Sequence, residues 1–280
     1  MYKRSIYLSC LFLAAVFSGI YADIGNKLPE RIISLGPTLT ENIFLLGAGD
    51  KLIANTSYCN RPAEADSKEK IGTLIKANLE KIVELKPDLV LATSLTNMEQ
   101  IQIMRNMGLE VVVFRQPENF QVLCSQFIRL GDILGMKKKA EKIINSIETK
   151  IEDLKKSIAH LSGPSVFIQI GAHPLFTANK DSFVNDFIEF AGGINIASEA
   201  KTGMYSREKV LQADPEIIII VTMGITGEEE KKTWQEFTAM NAVKNDKIYI
   251  IDSYEICSPS PVGFLNTLEK MIIIFYGLQE

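Results

Sequence analysis

NLEKIVELKPDLVLAT (residues 78–93) and SREKVLQADPEIIIIV (residues 206–221) are one unit written twice, 128 positions apart. With no gap, Glu80 falls on Glu208, Lys81 on Lys209, Ile82 on Val210, Pro87 on Pro215 and Asp88 on Glu216. Each copy opens on a residue suited to cap a helix, Asn78 or Ser206, and places a glutamate at the second helical position. Two turns later proline ends the helix, since it has no amide donor and restricts the residue before it. DLVLAT and EIIIIV then run nearly continuously apolar, as strands covered on both faces do. Recurrence of this helix–strand unit predicts two α/β lobes of related layout.

The same alternation continues outward from each copy. RIISLG (31–36), KLIANT (51–56) and EVVVFR (110–115) join DLVLAT (88–93) as strands of a first parallel lobe, with helices around 39–47, 79–85 and 97–107 as crossovers. SVFIQIG (165–171), EIIIIVT (216–222) and KIYIID (247–252) are the strands of a second, with helices near 182–191, 206–213, 232–239 and 262–276. Residues 119–135 and 137–161 between them are helical. The latter segment has no glycine or proline and repeats Ile143, Ile144, Ile147, Ile151, Leu154 and Ile158 at threes and fours, with charge on its other face. At ~1.5 Å per residue it forms a strut roughly 35 Å long that limits how far the lobes swing apart. The expected fold is therefore two Rossmann-like α/β lobes, residues 30–118 and 163–280, joined through a helical segment at 119–162, with a ligand cleft between them.

Residues 1–22 have another character: Lys3 and Arg4, an apolar run from Ser5 to Ile20, then Tyr21-Ala22 before Asp23. This is the pattern of an export signal cleaved near Ala22, with an uncleaved anchor as the alternative. Cys10, behind Tyr7-Leu8-Ser9, is poorly placed for lipid attachment. Cleavage leaves 28 basic against 34 acidic residues, a balance that argues against a polyanion such as nucleic acid as partner. It also leaves Cys59, Cys124 and Cys257, too few for a framework of disulfides. A composition of 46% hydrophobic and 23% charged residues is that of a folded chain able to bury a large core.

Taken alone, Glu80 and Glu208 admit two readings. Each carboxylate suits the positive end of its own helix. Equally, one glutamate presented by each of two related lobes makes a matched pair for a symmetric basic partner.

GPTLTENIFLLGAGDKLIANTSYCNRP, NLEKIVELKPDLVLAT, PLFTANKDSFVNDFIEFAGGINIA, SREKVLQADPEIIIIV, WQEFTAMNAVKNDKIYIID and SPSPVGFLNTLEKM together resemble the helical-backbone substrate-binding proteins of ABC importers, in order, from about residue 31 to 276. The resemblance is closest to the cobalamin-binding branch; other branches carry iron–siderophore complexes or haem. It implies a periplasmic, monomeric carrier with no cofactor of its own, whose cargo is a corrinoid or a ferric chelate. It further implies that Glu80 and Glu208 dock on arginines of the ABC permease, which works with its ATPase. The cargo is expected between the lobes, at loops following the carboxyl ends of the strands. Tyr58 matches a cleft tyrosine of the cobalamin binders. Thr38, Cys59, His173, Phe176, Tyr205 and Cys257 complete the candidate set. Phe176 and Tyr205 would offer apolar faces to a macrocycle or else belong to lobe core, and Cys124 reads as core. Cys59, His173 and Cys257 offer soft ligands, yet their spacing matches no metal motif.

Departures bear on the cargo. Thr73-Leu74 and Ser94-Leu95 stand where cobalamin binders often carry tryptophans, and Ile256 stands near the place of an arginine. The one tryptophan, Trp234, matches a helix outside the cleft. Arg61 occupies a position where haem binders commonly have tyrosine, and reads either as an ion pair for an anionic ligand or as a solvated charge. Cobalamin therefore leads an iron chelate, and haem trails.

An enzyme is not expected. The sequence has no GxSxG elbow, HExxH helix, P-loop or GxGxxG, and GAGD (47–50) follows a helix instead of a strand. His160 and His173, its two histidines, have no adjacent nucleophile in the pattern.

Overall fold

The computed structural model describes residues 28–222 and 227–277 of the 280-residue chain, so the expected export signal lies outside the described residues. The N-terminal lobe runs β1 (Ile32–Ser34), α1 (Pro37–Leu46), β2 (Leu52–Asn55), α2 (Ala63–Asp66), β3 (Glu69–Lys70), α3 (Leu79–Glu84), β4 (Leu89–Thr93), α4 (Met98–Asn106) and β5 (Val111–Phe114). Its strands lie in the order β3-β2-β1-β4-β5, all parallel. Two helices follow, α5 (Phe120–Ile133) and α6 (Lys137–Ile158).

The C-terminal lobe then runs β6 (Ser165–Ala172), β7 (Leu175–Thr177), α7 (Phe183–Phe190), β8 (Ile194–Asn195), α8 (Arg207–Ala213), β9 (Ile217–Val221), α9 (Gly227–Gln235), α10 (Asn241–Lys244), β10 (Ile248–Ile251), α11 (Ser253–Cys257) and α12 (Pro261–Tyr276). β10, β9, β6 and β8 are parallel neighbours, whereas β7 folds back antiparallel on β6. That hairpin departs from the expected all-parallel lobe. The turn at His173-Pro174 is too short for a crossover, and a two-residue return joins antiparallel strands only. α9 also begins ahead of the expected 232–239, because Glu228, Glu229 and Glu230 form an acidic first turn suited to a helix start.

The near-continuous apolar strands are explained by what covers them. Along β4, Leu89 and Leu91 face one core cluster while Val90 and Ala92 face another. Along β9, Ile217, Ile219 and Val221 join that first cluster, and Ile218 and Ile220 face a third. The first cluster is thus common to both sheets. It passes from Ile32 and Leu91 through Phe127 of α5 and Ile144, Ile147 and Ile151 of α6 to Phe264 and Leu268 of α12 and on to Ile168 and Ile219. The lobes share one core on their helical side and keep private cores on their outer sides.

The strut takes its expected place. Ala140, Ile144, Ile147, Ile151 and Ile158 of α6 are buried against α5 and α12, with Ile143 and Leu154 at the margin. Helix contact is close enough that a Cβ built at Gly131 would stand 2.6 Å from the Cβ of Ala140. Phe264 anchors α12 in a nest of rings, with centroids 4.3 Å from Phe187 and 4.5 Å from Phe120. Among the described residues no helix is long and apolar enough to cross a membrane.

Candidate functional site

The repeated unit keeps its symmetry in atomic detail. Asn78 Oδ1 accepts from the Lys81 amide at 3.1 Å, and Ser206 Oγ accepts from the Lys209 amide at 3.3 Å. Lys86 and Asp214, 128 positions apart and each just before the proline, both take a left-handed backbone, with φ of 47° and 45°. Asp88 accepts from the amides of Glu30 and Arg31, and Glu216 accepts from the amide of Ser165, so each acid ties its strand to the start of the lobe's first strand. Two short helices are thereby fixed alike, and both present an exposed glutamate in their first turn. The Glu208 carboxyl is held below its ordinary range by its own backbone N–H and then by the Ser206 hydroxyl, so it is ionised at neutral pH.

Loops after the strand ends carry an unusual density of exposed apolar side chains. From the N-terminal lobe come Tyr58, Ile75 and Leu95, which are 60%, 70% and 58% exposed. From the other lobe come Phe176 and Met204, at 41% and 55%. Phe176 and Met204 are directly paired across an antiparallel bridge, flanked by the Thr177 amide to Gly203 carbonyl bond at 2.8 Å and the Tyr205 amide to Leu175 carbonyl bond at 2.9 Å. Paired residues of such a ribbon share one face. His173 stands exposed at the adjoining turn.

Alternation along the same ribbon removes Tyr205 from the site. Its ring turns into the lobe beside Phe167, with centroids 5.9 Å apart, and its hydroxyl donates to the Ile196 carbonyl at 3.3 Å. Tyr205 is half-buried against the lobe's outer core, and Met204 takes the outward place expected of it. Cys59 is also withdrawn: it is fully buried, its Sγ 3.1 Å from Thr56 Oγ1. Met204 and Ile75 were missed by sequence reasoning, and Leu95 entered it only as a place where cobalamin binders often carry tryptophan; period-two parity against Phe176 would have identified the first.

Thr38 and Cys257 meet, but in a seam where the lobes touch. Thr38 Oγ1 donates to the Ser258 carbonyl at 2.9 Å, Ser260 Oγ donates to Glu41 Oε1 at 2.6 Å, and Gln116 Nε2 donates to the Cys257 carbonyl at 3.3 Å. A small cavity there is lined by Thr38, Asn42, Phe114, Gln116, Cys257 and Pro259 among others. Thr38 thus spends its hydroxyl proton on the seam and not on a ligand. Arg61 stays exposed, as a solvated charge would, while its guanidinium lies 3.5 Å from the ring centroid of Tyr254 and 3.8 Å from Asp252 of the opposite lobe.

All three described cysteines are free, and no group of three His, Cys, Asp or Glu residues is placed to hold a metal ion among the described residues. Burial, with a smaller push from Glu148, raises the Cys124 thiol to about 12; burial and then Asp252 raise Cys257 to about 11. At pH 7.5 fewer than about one Cys257 in a thousand is a thiolate. The native protein is therefore expected to give no rapid colour with Ellman's reagent at that pH, and full labelling only after denaturation. A fast stoichiometric reaction of one thiol would contradict this account.

Comparison with known proteins agrees with the architecture. Residues 32–255 match the family model described as periplasmic binding protein. A vitamin B12-binding protein of Photorhabdus laumondii is 30% identical over 237 residues, covering 83% of this chain and 82% of that one. An uncharacterised ABC transporter substrate-binding lipoprotein of Bacillus subtilis is 30% identical over 238 residues, covering 81% and 74%. Among solved structures, that of a possible iron-binding periplasmic solute-binding protein from Staphylococcus epidermidis superposes with a TM-score of 0.79 at 24% identity, covering 89% and 100%.

Proposed function

The chain belongs to the periplasmic binding protein family, and from that premise we propose that it captures a corrinoid outside the cytoplasm and delivers it to the permease and ATPase of an ABC importer. The observation that carries the reading is that both lobes expose apolar side chains, Tyr58 and Leu95 on one and Phe176 and Met204 on the other. A flat macrocycle with apolar faces is the cargo they suit, and relatives named as vitamin B12-binding proteins support the corrinoid. In this mechanism the shared core keeps the lobes from closing far. The loaded monomer docks through Glu80 and Glu208, and the permease draws the cargo out. Export with cleavage near Ala22 puts the protein where that task is done.

An iron chelate or haem is the second reading, favoured by one observation: His173 stands exposed beside Phe176, where a ring nitrogen can reach a metal. Native mass spectrometry with visible absorbance, on protein purified from its own compartment, separates a corrinoid, a ferric chelate and a haem by mass and spectrum. Calorimetric titration with cyanocobalamin is expected to show binding. Phe176→Ala and Tyr58→Ala are each expected to weaken it by about tenfold, the worth of an aromatic contact. Absence of cyanocobalamin binding, with haem bound instead, would overturn the corrinoid assignment.

A further inference from the structure

Beneath Glu208 lies a polar network that the docking reading leaves unused. Arg207, its neighbour at the start of α8, donates from Nη2 to Glu230 Oε2 of α9 at 2.6 Å. The same oxygen accepts from Gln169 Nε2 at 2.7 Å, and Gln169 Oε1 accepts from Trp234 Nε1 at 2.6 Å. The Arg207 guanidinium also lies 4.6 Å from the Trp234 ring centroid. Gln169 and Trp234 are wholly buried and Glu230 is 7% exposed. Burial alone would raise the Glu230 carboxyl, but the bonds from Gln169 and Arg207 and the Arg207 charge outweigh it and hold it ionised.

A charged pair removed from water costs stability unless every lone pair is used, and a lobe with a full apolar core has no need of one. What this pair gains is direction. It ties the first residue of α8 to a central strand, β6, and to α9 through planar groups with fixed geometry. Among the described residues the N-terminal lobe shows no such device: Leu79 occupies the place equivalent to Arg207, packed against that lobe's own core. The two docking helices, alike in caps and backbone, are anchored by different chemistry.

We propose that Arg207, held by Glu230, Gln169 and Trp234, is a positioning residue that fixes the first turn of α8 and so sets the attitude of the Glu208 carboxylate toward the permease. This rests on the docking role of Glu208. Arg207 touches neither cargo nor permease; it acts through its neighbour.

The test is a mutant cycle read on the importer. The permease–ATPase complex in proteoliposomes is titrated with cyanocobalamin-loaded protein, and the concentration giving half-maximal ATPase activity is measured for wild type, Arg207→Met, Glu208→Ala and the double variant. Arg207→Met is expected to raise that concentration by about tenfold with the maximal rate and cyanocobalamin affinity unchanged. In the Glu208→Ala background the same change is expected to add nothing, because the group it positions is gone. Should Arg207→Met fold poorly, judged by circular dichroism and thermal unfolding, Glu230→Gln replaces it with the shape of the network kept. A full effect of Arg207→Met in both backgrounds, or none in either while Glu208→Ala impairs docking, overturns the positioning role. No effect of Glu208→Ala overturns the docking reading itself.

Discussion

Glu80→Ala/Glu208→Ala is expected, on the proposed docking role, to abolish uptake of cyanocobalamin into cells while leaving the affinity of the purified protein for it within about twofold of wild type. Both carboxylates are exposed and neither belongs to the apolar set proposed for the cargo, so their loss is expected to remove charge from the proposed docking surface and leave that set in place. Their helices are short and capped by the bonds of Asn78 Oδ1 and Ser206 Oγ to the Lys81 and Lys209 amides, which the alanine variants retain, so the fold is expected to stand. Single variants should fall between, since two separated charges steer and orient better than one. Uptake assays in a strain lacking the native gene, set beside calorimetry on the purified variants, separate delivery from capture. Normal uptake by the double variant would end the docking account.

Phe264→Ala is expected to cost about 3–5 kcal/mol of stability, the loss typical of a fully buried ring. Phe264 touches rings from two directions, Phe120 of α5 and Phe183, Phe187 and Phe190 of α7. At about 2–4 °C per kcal/mol for a chain of this size, scanning calorimetry should show the midpoint falling by roughly 6–20 °C. Because the core is shared between the lobes, the transition should remain single. Two resolved transitions, or a shift below about 3 °C, would mean that the lobes do not depend on this junction.

The repeated unit was legible because its signals are local. Capping residues, a proline stop and an unbroken apolar run are properties of consecutive residues, and they located α3, β4, α8 and β9 within a residue or two. The stripe of α6 was legible for the same reason. β3 and β8 were not: each has two residues and exists only because a neighbouring strand pairs with it. Cys59 and Tyr205 mark the corresponding limit at the site. Whether a loop side chain faces cargo or core depends on what packs behind it, and Thr56 Oγ1 or the Ile196 carbonyl is not announced by spacing. Arg207 and Glu230, 23 positions apart on separate helices, lay equally beyond a pattern read along the chain.

The core common to both lobes also decides how such a carrier can be observed. Paired dyes placed one on each lobe would report a nearly constant separation whether cargo is present or not. A single environment-sensitive dye attached beside the exposed Met204 would sit where the proposed cargo is expected to displace water. Built into a biosensor, this scaffold would signal through polarity and not through distance.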